Sequence, residues 1–312
     1  MSTPQVVAAV DGSPDSARAL EWAVAEARLR GTGLRIVHVW PYAAAERPGL
    51  SGPGDVPRPP SAVGDPVLDR IRSAFAGRPD LPPVQYLTVE GTPEQTLPQL
   101  GVGAQLLVLG SRGRGGFASL LLGSNGLVCA RESACPVVVV PRPGRPRQEP
   151  LALAVPRPSV VLGLPAPSYD TSTVSFAFEE AARRGARLEV ICAYPWTRPQ
   201  FVPYGEFAPT ATDEREVSAE YARLARAQLA DHQRRHPGVR VDLCIAPGDA
   251  AGHLVAASRA ADLIVVGRHR RRMPAGRLLG SVTNAVLLHA GCPVAVVPTE
   301  PEIVPAEVGA AA

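Results

Sequence analysis

A chain of 312 residues, 46% hydrophobic and 20% charged with a net charge of +3, has length for about two domains with buried cores and too little basic excess for a general nucleic-acid surface. Lysine is absent and every Lys/Arg position is arginine, which excludes the lysine-dependent P-loop and any Schiff-base or lysine-base chemistry. Five cysteines without a CxxC pair make neither a disulfide framework nor a zinc site and suit a reducing, cytoplasmic setting, while the start lacks a signal-peptide pattern and no apolar run approaches the roughly 18 residues of a membrane span.

In chain order, Val6–Val10 predicts a short buried strand. A helix follows, with Leu20, Ala23, Val24 and Ala27 on one face and a C-terminal signal at Gly31. "LRIVHVW" predicts the second strand, and the stretch from Pro41 to Pro66 carries no periodic pattern. A helix, the strand "VQYLTVE", a helix after "GTPEQ" and the apolar strand ending at Gly110 come next. A Gly-rich loop, "GSRGRGGFASLLLGSN", leads into another helix and the last strand, "PVVVV".

The same order then repeats. "VVAAVDGS" is answered by "VVLGLPAPS", "QLLVLGSRG" by "DLIVVGRHR" and "ACPVVVVPR" by "GCPVAVVPT". Asp11 and Gly31 are 20 positions apart, as are Pro165 and Gly185; Gly91 and Gly110 are 19 apart, as are Gly248 and Gly267. The chain therefore reads as two copies of one domain, 1–143 and 158–300, joined by the Pro- and Arg-dense linker from Pro141. In the second copy the helix after the long loop is stronger, with Tyr221, Leu224, Ala225 and Leu229. Strands alternating with helices predict, for each copy, an α/β Rossmann-like domain with a five-stranded parallel sheet covered by helices on both faces. Ligands of such sheets sit beyond the strand carboxyl ends at the topological switch point, which places Asp11 opposite the Gly110 loop if the first and fourth strands are neighbours. The last strands, "PVVVV" and "PVAVV", would leave apolar edges unless they pair, making the chain a pseudo-dimer of its two halves; a further dimer of chains is left open.

The loop contains what a phosphate needs. Gly110 allows a tight strand exit, and Gly113 lets backbone N–H groups approach a ligand. Gly123 and Ser124 open a helix whose N-terminus favours an anion, Ser124 can cap that helix or donate to a phosphate, and Asn125 adds a donor. Alone, the stretch reads equally as a surface loop with an ordinary N-cap, and Arg112 to Gly116 also has the look of a short RGG segment.

The spacing Gly110-x2-Gly113-x9-Gly123-Ser124 resembles the ATP-binding signature of the universal stress protein family, G-x2-G-x9-G-[ST]. "VDGSPDS", "HVW" and "CPVVVV" extend the resemblance over nearly the whole chain, twice. It implies a tandem form of that family with adenine nucleotide alpha hydrolase-like domains. It further implies ATP with Mg2+ as ligand: Asp11 near the ribose and the phosphate-bound metal, the backbone of Val39 at adenine, and Gly110, Gly113, Gly123 and Ser124 along the phosphates. Arg112, inside the motif, either contacts phosphate or is solvated. Occupancy of the first copy would act as a regulatory or stress-response switch on an unknown protein partner, with no membrane or nucleic-acid partner and at most slow ATP hydrolysis, since no activated general base stands out. A nucleotide-independent interaction module, or an ATP pyrophosphatase-like enzyme suggested by "DGSPDS", are the alternatives.

The second copy departs from the signature. Pro165 aligns with Asp11 and Arg270 with Gly113, while Gly280-Ser281 is intact. Arg268, Arg270, Arg271, Arg272 and Arg277 crowd one loop, which reads as a solvated surface or as an anion site. His232-x3-His236 has a metal-ligand spacing but no third ligand, and reads as a solvated helix end; His38 reads as a packed strand residue.

Overall fold

The computed structural model describes residues 5–40, 64–113, 122–142, 158–166, 170–196, 211–268, 271–273 and 276–299. In the first copy these form β1 (Val6–Val10), α1 (Pro14–Leu29), β2 (Leu34–Trp40), α2 (Pro66–Phe75), β3 (Val84–Glu90), α3 (Pro93–Leu100), β4 (Leu106–Gly110), α4 (Ser124–Glu132) and β5 (Val137–Val140). The second copy contributes β6 (Ser159–Gly163), α5 (Thr171–Arg184), β7 (Arg187–Tyr194), α6 (Ala211–Arg235), β8 (Val241–Pro247), α7 (Ala250–Ala257), β9 (Leu263–Arg268), a hairpin of β10 (Arg271–Met273) and β11 (Gly276–Leu278), α8 (Ser281–His289) and β12 (Val294–Pro298).

Each copy supplies five parallel strands, and the two sets merge into one ten-stranded sheet of order β3-β2-β1-β4-β5-β12-β9-β6-β7-β8. The merger is the expected pairing of last strands: β5 and β12 run antiparallel with Val138 opposite Ala295. All four residues of β5 are buried, so the pairing removes two apolar edges from water.

The strands have short apolar runs because both faces of the sheet are covered. Val6, Ala8 and Val10 point to a core built with α1, α2, α5 and α6. Val7 and Ala9 point to a second core built with α3, α4, α7 and α8. Local signals set the element ends. Ser13 caps α1, its hydroxyl accepting from the Ser16 N–H, and Gly31 takes a left-handed φ of 60° just past the helix end. Asp65 caps α2, so that helix begins within the stretch whose sequence shows no pattern.

Across the pseudo-two-fold junction, α1 and α5 share a buried ion cluster. Arg30 donates to Glu26 at 2.6 Å and to Glu180 at 2.5 Å; Arg184 donates to Glu26 at 2.5 Å and also to Glu180. The same exchange governs the aromatics: Arg30 lies over Phe176 and Arg184 over Trp22. Burial and then the facing Glu180 charge push the Glu26 carboxyl above its ordinary range, against the pull of Arg184 and Arg30. This buried exchange of arginines and glutamates, to which Arg183 and Gln105 add further hydrogen bonds, fixes the register of the two copies.

Two expectations about the second copy are corrected. His232 is buried, not solvated: its ring stacks on Phe178 at 5.6 Å between centroids. Phe178 comes from α5, so the packing of α5 on α6 buries the His232 ring. Nor does Arg268 belong to a solvated loop. Arg268 is 3% exposed and its guanidinium donates to the Ser133 carbonyl of the first copy at 2.6 Å. Arg270 lies outside the described residues, as do 114–121 and most of the linker.

Candidate nucleotide site

β1 lies between β2 and β4. The chain leaves β1 toward one edge of the sheet and returns at β4 on the other side, so the switch point falls at the carboxyl ends of β1 and β4. Asp11 follows β1 there. Its Oδ1 accepts from the Ser13 N–H at 2.9 Å, and Gly12 between them has a φ of 76°. This tight turn holds the carboxylate at the crevice.

The loop after β4 meets it directly. A Cβ built on Gly113 would lie 2.7 Å from Asp11 Oδ2, too close for any side chain without displacing the carboxylate. Gly110 serves differently from the expected unusual φ. It is not among the positive-φ glycines; instead a Cβ there would sit 2.6 Å from the Asp15 carbonyl carbon, so glycine lets β4 approach the first turn of α1. Gly123 closes the loop by donating its N–H to the Ser111 carbonyl at 2.8 Å.

At α4 a second expectation is corrected. Gly123, not Ser124, is the N-cap, and no side chain caps the helix; Ser124 is the first helical residue because its backbone has already turned helical. Its hydroxyl reaches Glu94 Oε1 at 3.3 Å on the exposed side. Among the described residues, no side chain caps the leading N–H groups of α4, and Asn125 Oδ1 is buried without a hydrogen-bond partner. Arg112 is half-buried beside Gly113. Val39 is buried near the carboxyl end of β2, one strand away from the crevice on the far side of β1.

The structure therefore brings Asp11, Gly110, Arg112, Gly113, Gly123, Ser124 and Asn125 to one end of the sheet, with Val39 lateral to them. The sequence reading missed the scaffold behind them. Asp15, 1% exposed, accepts from Arg18 at 2.6 Å, from Arg142 Nε at 3.0 Å and from the Ser111 hydroxyl at 3.3 Å. Burial raises its pKa, but the hydrogen bonds and charges of Arg18 and Arg142 outweigh it and hold the carboxyl below its ordinary range. Nothing in the local pattern pairs Asp15 with a residue 127 positions on. His38 is also more than packing: Nδ1 lies 2.8 Å from Asp65 Oδ2, which also accepts from the Thr88 hydroxyl at 2.7 Å. That contact ties the start of α2 to β2 and β3. Thiol chemistry has no foothold nearby, since burial pushes Cys129 up to about 12.

A family profile described as the universal stress protein family matches residues 3–141 and again 159–298. The chain belongs to the universal stress protein family. A universal stress protein of Mycobacterium tuberculosis is 32% identical over 305 residues, covering 95% of this chain and 99% of the relative. In fold, this universal stress protein is similar to a functionally unknown protein from Pseudomonas aeruginosa, with a TM-score of 0.64, 16% identity and coverage of 95% and 93% of the two chains. A universal stress protein from Archaeoglobus fulgidus superposes with a TM-score of 0.56, 15% identity and coverage of 96% and 97%. Both similarities extend over two copies' worth of chain and establish the tandem α/β fold. Among its described residues, no helix of the universal stress protein is long and apolar enough to cross a membrane.

Proposed function

We propose that the first copy, residues 1–143, binds ATP with Mg2+ beyond the carboxyl ends of β1 and β4, and that occupancy biases a surface read by a protein partner. The second copy, 158–300, carries no equivalent site. The observation behind this reading is the approach of the Gly113 backbone to the Asp11 carboxylate, beside an α4 N-terminus that no side chain caps. Helix N–H groups without an acceptor, together with the N-terminal partial charge, suit phosphate oxygens. Asn125 Oδ1, buried without a partner, is an acceptor waiting for a donor such as a ribose hydroxyl. Asp11 offers a single hard carboxylate, which fits Mg2+ held mainly by phosphates and water. The metal would neutralise phosphate charge; the chain's own residues bind and orient. Among the described residues, no paired acid–base groups stand at the loop, and the reading is of a binding switch.

Thermal unfolding with and without ATP and Mg2+ tests this. Ligand at 100 times Kd raises stability by about 2.7 kcal/mol, and mass spectrometry of ligand released from purified protein is expected to give one nucleotide per chain. An unshifted melting curve at millimolar ATP and Mg2+ refutes the proposal, and two nucleotides per chain refute the single site.

A further inference from the structure

Between α1 and α2 lies a groove of about 480 Å³, on the sheet face opposite α3 and α4. It is distinct from the nucleotide crevice: Gly12 and Ser13 border it at one end, and Gly113 and α4 take no part in it. Its walls are apolar, with Val10, Leu20, Val67, Ile71 and Phe75 from the strand and the two helices. Its volume falls within the roughly 300–1,000 Å³ of small-molecule sites.

The charges at its rim are unequal in their commitments. Glu21 is bound by Arg78 through two hydrogen bonds, of 2.7 and 3.1 Å. Arg18 gives Nη2 to Asp15 and Nη1 to the Pro14 carbonyl, while its Nε is buried without a hydrogen-bond partner. Arg70 is exposed and makes no ion pair among the described residues. An apolar trough whose negative charge is already neutralised, and which still offers guanidinium donors, selects a ligand with a hydrocarbon body and an anionic head.

The second copy supplies the contrast. There α5 and α6 close on each other: Phe178 stacks on His232, the Ser175 hydroxyl lies 3.5 Å from His232 Nδ1, and Gln228 donates to the Ala166 carbonyl at 2.6 Å. Ser175 stands at the repeat position of Glu21, and Phe178 at that of Val24. The equivalent helix pair is thus bridged by side chains in the second copy, while the first copy has an apolar-walled groove between its pair.

We propose that the α1–α2 groove binds a single-chain aliphatic carboxylate of the fatty-acid class, its chain along Leu20, Ile71 and Phe75 and its carboxylate at Arg70 and the Nε of Arg18. The test is calorimetric titration of the full chain with octanoate, decanoate and dodecanoate below their micelle concentrations, with dodecanol as the uncharged control. Affinity is expected to rise about fourfold per added methylene until the groove is full, and dodecanol to bind about tenfold more weakly than dodecanoate. Ala17→Phe and Ala74→Phe, both at exposed helix positions, fill the groove and are expected to abolish binding while leaving the melting temperature near that of the parent. Arg70→Ala is expected to erase the preference for carboxylate over alcohol. Gly113→Arg, which blocks the nucleotide crevice, is expected to leave dodecanoate binding intact, so failure of the nucleotide reading and failure of this one are distinguishable. Absence of dodecanoate binding, binding that survives both groove-filling variants, or equal affinity for alcohol and carboxylate overturns the proposal.

Discussion

The two copies share a fold and a junction, yet their strand ends differ. In the first, Gly113 lets the loop after β4 approach Asp11; the glycine N-cap is common to both, since Gly280 precedes α8 as Gly123 precedes α4. In the second, the carboxylate position is Pro165 and the Gly113 position is Arg270; Gly267, the counterpart of Gly110, is as closely hemmed as Gly110 itself, with a Cβ there 2.6 Å from Asp170 Oδ2 and 2.9 Å from Thr173 Oγ1. The Thr283 hydroxyl donates to the Gly267 carbonyl and Thr299 to that of Arg268, so this strand end is closed by the chain's own polar groups. Arg268, at the position of Ser111, has been turned into a strut against the first copy. The first copy's strand ends carry the proposed nucleotide crevice; in the second, Arg268 at the strand end ties the two copies together.

The contrast depends on the junction being rigid, and the largest expected effect comes from breaking it. Glu180 has no exposed side chain and accepts from Arg30, Arg183 and Arg184. Glu180→Ala leaves buried guanidinium groups without their carboxylate and is expected to cost about 3–5 kcal/mol in urea unfolding. A loss below about 1 kcal/mol would show that water reaches the cluster and that it does not set the register.

Next in size is a substitution that makes the first copy resemble the second. Gly113→Arg imports the residue at the aligned position, Arg270, into a space 2.7 Å from Asp11 Oδ2. It is expected to remove the whole ATP–Mg2+ stabilisation, about 2–4 kcal/mol at saturation, with the ligand-free melting temperature little changed. Retention of the ligand-induced shift would move the site elsewhere.

Arg268→Ala probes the reverse specialisation. Losing the hydrogen bond to the Ser133 carbonyl and the packing of a buried side chain is expected to cost about 1–3 kcal/mol, with ATP affinity unchanged. An affinity change comparable to that of Gly113→Arg would mean the strut also shapes the first copy's site.

Much of this was legible in the sequence for a physical reason. Strand runs such as "LLVLG" and "VVVV" are apolar at every position because both faces are covered, and the repeat doubles each signal. Asp11 and Gly113 could be put opposite each other from topology alone. The rest depends on contacts between residues far apart in the chain. The use of Gly110 for close approach to Asp15, the Asp15–Arg142 pair and the exchange of arginines between Glu26 and Glu180 have no local period to betray them. The burial of His232 is not legible because its helix is polar overall and the groups packed on it, Phe178 and Ser175, come from another helix.

The smallest expected effect separates the copies by pH. Burial, and then the charges of Arg235 and His236, hold the pKa of His232 below its ordinary 6.5. The Arg235 guanidinium donates to Nδ1 at 3.3 Å, which requires that nitrogen to be unprotonated. Between the depressed folded value and 6.5 the unfolded chain binds the extra proton, so stability falls as pH drops from above 6.5 through the folded pKa, and rises again on return. Asp65, the cap of α2 in the first copy, behaves otherwise. Burial raises the Asp65 pKa, but hydrogen bonds from Thr88, His38 and the Leu68 N–H bring it below 3.8, so that contribution is present above 3.8 and lost only as pH falls through the still lower folded value. Acidification from pH 7.5 to 5 should therefore loosen α6 against α5 while the α2 anchor's carboxylate stays charged. His232→Phe keeps a ring on Phe178 and removes the titration, so urea midpoints measured across that range should flatten in the variant. An acid slope identical to that of the parent chain would mean that the second copy's filled crevice does not sense pH through His232.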